Sequence, residues 1–270
     1  MKPFSRIAFL FSLAVTLNVA SFSLPAAEPA FRVLVFSKTV GYRHTSITNG
    51  IAAIKQVGAQ NDFAVEATED SAVFTPENLK RFKVVVFLST IGDILSDAQQ
   101  SAFEQWLRAG GGFIGIHAAI PGKIATEGDW PWYGRLLCTD FTNHSAIVKG
   151  TLHIEDATHP STIGLPKTWE RIDEWYNFTV NPREKTRVLV SIDERTYQGG
   201  TMGADHPMTW SHAFEGGRVW YTALGHTESS FAEPDFLKHL LGAIEFAAGL
   251  QQADLTPLPK LRAPGNLRLH

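Results

Sequence analysis

The chain is poor in the features that would fix its chemistry at once. Of its 270 residues only Cys138 is a cysteine, so no internal disulfide can form and the fold must stand on its apolar core. Cys138 lies beside Leu136 and Leu137 in GRLLCTDF, the setting of a small buried side chain more than of a nucleophile. No phosphate-cradling GxxxxGK occurs, and the glycine run Gly110 to Gly112 precedes a strand pattern instead of opening a helix, the wrong context for dinucleotide binding. A basic excess is also missing: 24 Lys and Arg stand against 27 Asp and Glu, which speaks against nucleic acid as a partner. Beyond the first 20 residues there is no apolar run near the roughly 20 residues that a membrane span requires. What is present is an ordinary globular composition, 44% hydrophobic and 19% charged, enough for one sizeable core.

The first residues read as a leader, not as fold. Lys2 and Arg6 supply a positive start, Ile7 to Ala20 an apolar run, and SFSLPAA small residues suited to cleavage. The expected layout is therefore a signal peptide over 1–27, a single domain over 28–250 and an extended or disordered tail over 251–270. Losing Lys2 and Arg6 leaves 22 basic residues against 27 acidic, a mildly acidic chain destined for the periplasm or the exterior.

Along the domain, strand and helix patterns alternate. FRVLVFSK is a β-branched and aromatic strand, and Ile47, Ile51 and Ile54 mark one face of the helix after it. A strand near Phe63 to Glu66 follows, then a short helix opened by Thr75 and Pro76. KVVVFLST is almost continuously apolar, as in a strand buried on both faces of a parallel sheet. Ser96 and Gln99 form a capping box ahead of a helix with Phe103, Trp106 and Leu107 facing inward. Glycines stop that helix, and the strand Phe113 to Ile116 delivers His117 among small residues. The order argues for an α/β fold, a doubly wound and mostly parallel sheet, at whose carboxyl edge ligands bind. Residues 120–145 look like a long ordered excursion over that edge. Shorter strands then follow, the last of which, GRVWYTALGH, delivers His226 to the same edge. A helix from about Pro234 has Leu237, Leu240, Leu241, Ile244 and Ala248 on one stripe; His239 falls on its polar side, and His159 with Pro160 reads as a surface turn.

Together YRHTSI, GGGFIGIHAA, YGRLLCTDFTNH, the pair at His159, DEWYNF and GRVWYTALGH resemble the ThuA-like family, named for trehalose utilisation. The resemblance runs from Phe31 to about Leu250. It implies a flavodoxin-like sandwich similar to the class I glutamine amidotransferases, with additional strands in the C-terminal half. In those enzymes a cysteine on a Gly-x-Cys elbow is the nucleophile; here the elbow reads Gly115-Ile116-His117. Imidazole serves as base, acid or metal ligand, not as a thiolate, so glutamine hydrolysis is not expected.

The resemblance implies a carbohydrate substrate, a trehalose-like disaccharide or a keto derivative of one. The expected catalytic groups are His117 as base or ligand, His226 as its partner, and Glu228 or Glu174 as the orienting acid. Glu228 keeps the His-x-Glu spacing with His226. Strand alternation sets Asp173 with Trp175 and Glu174 with Tyr176 on opposite faces, and Glu174 is the acid expected in the pocket. Arg43, His44, His144, Trp132 and Trp210 are the expected substrate contacts, the indoles as platforms for sugar C–H faces. Two chemistries stay open: metal-free acid–base catalysis, or a divalent metal such as zinc on His117 and His226. A non-catalytic sugar-binding or scaffold domain is the rival reading; in it, Trp130, Trp132 or Trp210 would plug the pocket.

Overall fold

The computed structural model describes residues 28–122 and 130–259. The leader expected over 1–27 and the far end of the expected tail lie outside the described residues. Among the described residues nine strands form one sheet in the order β2-β1-β3-β4-β9-β8-β7-β5-β6. The parallel half holds β1 (Phe31–Phe36), β2 (Phe63–Thr68), β3 (Val84–Leu88), β4 (Gly112–Ile116) and β9 (Gly217–Thr222). Its order is that of flavodoxin-like doubly wound sheets. The antiparallel half adds β5 (Phe141–Ile154), β6 (Thr168–Phe178), β7 (Arg187–Ile192) and β8 (Pro207–Phe214). β9 is the seam, parallel to β4 and antiparallel to β8.

The helices follow from the crossovers. α1 (Ser46–Gln60) carries the chain from β1 to β2, while α3 (Asp97–Arg108) carries it from β3 to β4 in the opposite direction along the sheet. Right-handed crossovers therefore put these two helices on opposite faces. The short α2 (Pro76–Leu79) packs on α3, and α5 (Pro234–Ala247) joins α1 and lies on β4 and β9. α4 (Pro131–Leu137) lies within the long excursion. Local signals match the capping chemistry: the Thr75 hydroxyl accepts from the Asn78 amide at 3.2 Å, and the Gln99 side chain accepts from the Ser96 amide at 2.9 Å. β3 and β4 are buried along their whole length, as their unbroken apolar runs require.

Several expectations need correction. PMTW is strand despite its proline: Pro207 begins β8, a position that needs no ladder donor from proline. His159 is buried, packed at a tilt against Phe246 and bonded through Nδ1 to the Ser161 hydroxyl. His239 lies inside the core with Nδ1 donating to the Ser161 carbonyl at 2.6 Å, and burial pulls its pKa down to about 3. Both are structural histidines. Residues 251–259 carry no helix or strand, yet they are tied down, with Asp254 Oδ2 accepting from Arg187 at 2.8 Å.

Gly112 shows why a glycine opens β4. A side chain there would run into the backbone of Ala247 in α5, so the helix lies directly on the strand that leads to His117. Gly112→Ala is expected to lower stability by about 1–3 kcal/mol through overpacking, read as a shift of the urea midpoint with an unchanged slope. An unchanged midpoint would mean that α5 moves away freely.

Candidate functional site

β4 ends in an elbow. His117 holds a left-handed backbone, φ +55°, which is uncommon for a residue with a β-carbon and needs support from its surroundings. That support is complete. The His117 amide donates to Thr222 O at 2.7 Å, its carbonyl accepts from the Tyr221 hydroxyl at 2.8 Å, and its Nδ1 lies 2.8 Å from Ala223 O. A carbonyl only accepts, so Nδ1 carries the proton, and in the neutral ring the Nε2 lone pair is left facing the cavity. The Tyr176 hydroxyl reaches Nε2 at 3.0 Å.

His226 arrives after β9. Gly225 takes φ +107°, a conformation open to glycine, and the turn is clamped by a carboxylate: Asp173 accepts from the Gly225 amide at 2.9 Å and the His226 amide at 3.0 Å. Asp173 also accepts from the Glu174 amide at 3.0 Å and faces the Arg171 guanidinium at 3.2 Å. It therefore fixes His226 and Glu174 from one buried point. Arg171 is itself buried, over the rings of Trp169 and Phe236.

Glu174 and Tyr176 project from the other face of β6, as strand alternation demands. Glu174 Oε2 lies 3.2 Å from His226 Nδ1 and 3.5 Å from His117 Nε2, while Oε1 lies 3.0 Å from His144 Nδ1. His226 Nδ1 is also 3.1 Å from His117 Nε2. Register shifts in the β5–β6 ladder between Phe141 and Asn143 and between His144 and Ile147 aim His144 at this point. His44, after β1, completes the group. Its ring centroid is 4.8 Å from that of His117 and 5.1 Å from that of His226, and those two are 5.0 Å apart.

The electrostatics follow from one carboxylate among imidazoles. Burial works to raise the Glu174 pKa, but bonds and charge from His117 and His226 overcome it and hold the carboxyl below the usual range. Burial pulls His226 down, but Glu174 and Asp173 outweigh it and raise its pKa. His44 falls to about 3, through burial first and then the neighbouring imidazoles, so it is a neutral ring. Burial pushes the Tyr176 phenol well above its ordinary value, with Glu174 and Asp173 adding to the effect.

These groups open into a cavity of about 350 Å³ lined by Tyr42, His44, Ile91, Ala118, Phe141, His144, Glu174, Tyr176 and His226. The volume falls at the small end of the range for ligand sites. His117 is buried behind that lining, its Nε2 3.0 Å from the Tyr176 hydroxyl, 3.1 Å from His226 Nδ1 and 3.5 Å from Glu174 Oε2. The remaining expected contacts lie elsewhere. Arg43 is half-exposed and paired with Glu69. Glu228 is exposed, because Thr227 caps the short turn after it and sends the next side chain to solvent; Glu174 takes the place expected of it. Trp132 is buried in α4, its indole N–H donating to Glu215. Trp210 is wholly buried against Tyr221. Neither indole lines or plugs the cavity; the aromatic walls are Tyr42, Phe141 and Tyr176. Tyr176 and Phe141 had only apolar or alternating patterns to mark them, and Tyr42 stood unremarked beside Arg43.

The sequence pattern of the ThuA family, described as trehalose utilisation, matches residues 32–247. The chain belongs to the ThuA family. Its fold is shared with a ThuA-like protein from Bacteroides uniformis, at 23% identity and a TM-score of 0.69 over 84% of this chain and 95% of that one. A ThuA-like protein from Parabacteroides merdae aligns at 18% identity and 0.67 over 86% and 92%. A β-galactosidase from Bacillus circulans shares the fold at 15% identity and 0.52, with 85% of this chain covering 32% of that enzyme. The comparison with curated proteins returned no match. Membership of the ThuA family gives the chain a carbohydrate-related role, and among the described residues no helix is long and apolar enough to cross a membrane.

Asp173→Ala should cost about 3–5 kcal/mol, because it leaves the buried Arg171 charge without its nearest counter-charge, and should speed hydrogen exchange at the Gly225 and His226 amides. A loss below about 1 kcal/mol with slow exchange would show that the turn holds itself.

Proposed function

We propose that this ThuA-family chain is an exported carbohydrate-processing enzyme that transfers protons on a neutral disaccharide or keto-sugar derivative. The observation that carries the reading is the convergence of His44, His117, His226 and Glu174 at the base of a cavity walled by Tyr42, Phe141 and Tyr176. Aromatic walls accept the C–H faces of a sugar, and a few placed polar groups orient its hydroxyls. Among the described residues neither lysine nor arginine lines the cavity, which favours an uncharged substrate over a phosphorylated one. The leader pattern of residues 1–27 supports export.

The chain's own groups divide the work. Glu174, ionised by its imidazole neighbours, orients His226, whose raised pKa lets it hold a proton to deliver. Tyr176 presents a hydroxyl held protonated by burial, suited to donate a hydrogen bond to an oxygen on which negative charge develops. His117, behind Tyr176 and His226, serves as base or ligand, fixed in orientation by Ala223. A proton beside a ketone is acidified by the carbonyl, so removing it at this centre leads to isomerisation or elimination. No thiol stands at the elbow, and Cys138 is the left-handed residue that ends α4, so thioester chemistry on glutamine has no nucleophile here.

Trehalose and its keto derivative, incubated with the protein in deuterium oxide and followed by NMR, test the reading. Solvent deuterium should enter at the carbon beside the ketone, or an elimination product should form, and Glu174→Gln should slow this by about 100-fold or more. Sugar binding without exchange or turnover, unchanged in Glu174→Gln, would instead make the chain a binding module.

A further inference from the structure

We infer that His44, His117, Glu174 and His226 bind one divalent transition-metal cation of the zinc type. The assignment deepens the proposed function and rests on that reading for what the cation would serve; the site itself stands on donor geometry. Four-coordinate zinc, with bonds of about 2.0–2.1 Å, sets its ligand atoms about 3.3 Å apart. Here His117 Nε2, His226 Nδ1 and Glu174 Oε2 are separated by 3.1, 3.2 and 3.5 Å. One face of the tetrahedron is thus already laid out. A ring nitrogen of His44 lies within 4.8 Å of each of the other donors, near enough to supply the fourth position by a small ring movement.

Two further observations point to a ligand. His44 Nδ1 is buried without a hydrogen-bond partner, an orphan of the kind that native structures seldom leave unexplained. His117 also has the outer partner of a metal ligand: Nδ1–H donates to a backbone carbonyl, which fixes the tautomer and aims Nε2. Glu174 is held likewise, its amide on Asp173 and its Oε1 beside His144. The three rings stand nearly perpendicular in two of their pairs, at 88° and 87°, and at 74° in the third, so their edges meet about a common point instead of stacking.

The donor set decides the class of ion. Three imidazoles and one carboxylate suit zinc and its first-row neighbours, whereas magnesium and calcium take oxygen ligands. The Tyr176 hydroxyl, now on His117 Nε2, would give up that lone pair and turn toward the cavity. Four protein donors fill a tetrahedral ion, so the cation would polarise a sugar hydroxyl or carbonyl entering from the cavity only by expanding to five-coordinate. With the cation bound, His117 is a ligand and not a base, His226 Nδ1 is a ligand and not a proton donor, and Glu174 Oε1 with His144 is the route by which a proton reaches solvent.

The whole chain, stripped with chelator, is titrated with zinc and then with cobalt, with elemental analysis and visible spectra as readouts and circular dichroism to check each fold. One equivalent per chain is expected, with the cobalt absorption of a four-coordinate site. Glu174→Gln and His226→Ala should weaken zinc by more than about 100-fold, beyond the 10–100-fold typical of an outer partner. Tyr176→Phe should keep the stoichiometry and bind as tightly or more tightly, since its hydroxyl competes for Nε2. No uptake by the wild type, or uptake undiminished in both ligand variants, overturns the assignment. Metal binding without any sugar chemistry would leave the site standing and sink only the proposed reaction.

Discussion

The structure turns on the pinning of one residue. His117 leaves β4 in a left-handed conformation, and each of its polar atoms is held by a strand neighbour: the amide by Thr222, the carbonyl by Tyr221, Nδ1 by Ala223 and Nε2 by Tyr176. Three of those partners lie in β9 or directly after it, so the elbow exists only once β4 and β9 pair in register. The strain is therefore supported by the same sheet contacts that bury the core. An imidazole in this place is not free to sample tautomers, and its lone pair has one direction.

From that fixed point the rest of the site follows by charge. A single carboxylate, Glu174, sits among imidazoles at 3.0–3.5 Å, and the buried Asp173 behind it clamps the Gly225-His226 turn and stands beside Arg171. Two acids on adjacent residues thus do different work because strand alternation sends them to opposite faces. One faces the cavity and tunes the imidazoles; the other faces the interior and holds the loop. The flavodoxin-like half supplies His44, His117 and His226 from the carboxyl ends of its strands, and the β5–β6 ribbon closes over them with His144, Glu174 and Tyr176. Neither half makes the centre alone.

Much of this was legible in the chain. Unbroken apolar runs marked the buried parallel strands, the Ser96 and Gln99 pair marked α3, and small residues around His117 marked the elbow. The choice of Glu174 over Asp173 for the pocket followed from alternation and a guess between two acids, and the clamp made by Asp173 could not be seen, since its partners Gly225 and His226 lie 52 and 53 positions away. Glu228 was carried over on spacing, but capping by Thr227 decides where it points. Trp132 and Trp210 illustrate a different ambiguity: an indole in an irregular stretch suits a sugar platform or a core equally well, and only burial separates the two. β8 was hidden because Pro207 and a histidine interrupt its apolar alternation.

The central claim is that the elbow presents the Nε2 lone pair of His117 to the cavity. Nitrogen-15 NMR of the imidazoles in metal-free protein, at a pH where the ring is neutral, measures this directly. The account predicts a protonated Nδ1 and a pyridine-like Nε2 for His117. A protonated Nε2 with a bare Nδ1 would contradict it, because the bond to Ala223 that aims the ring would then be absent.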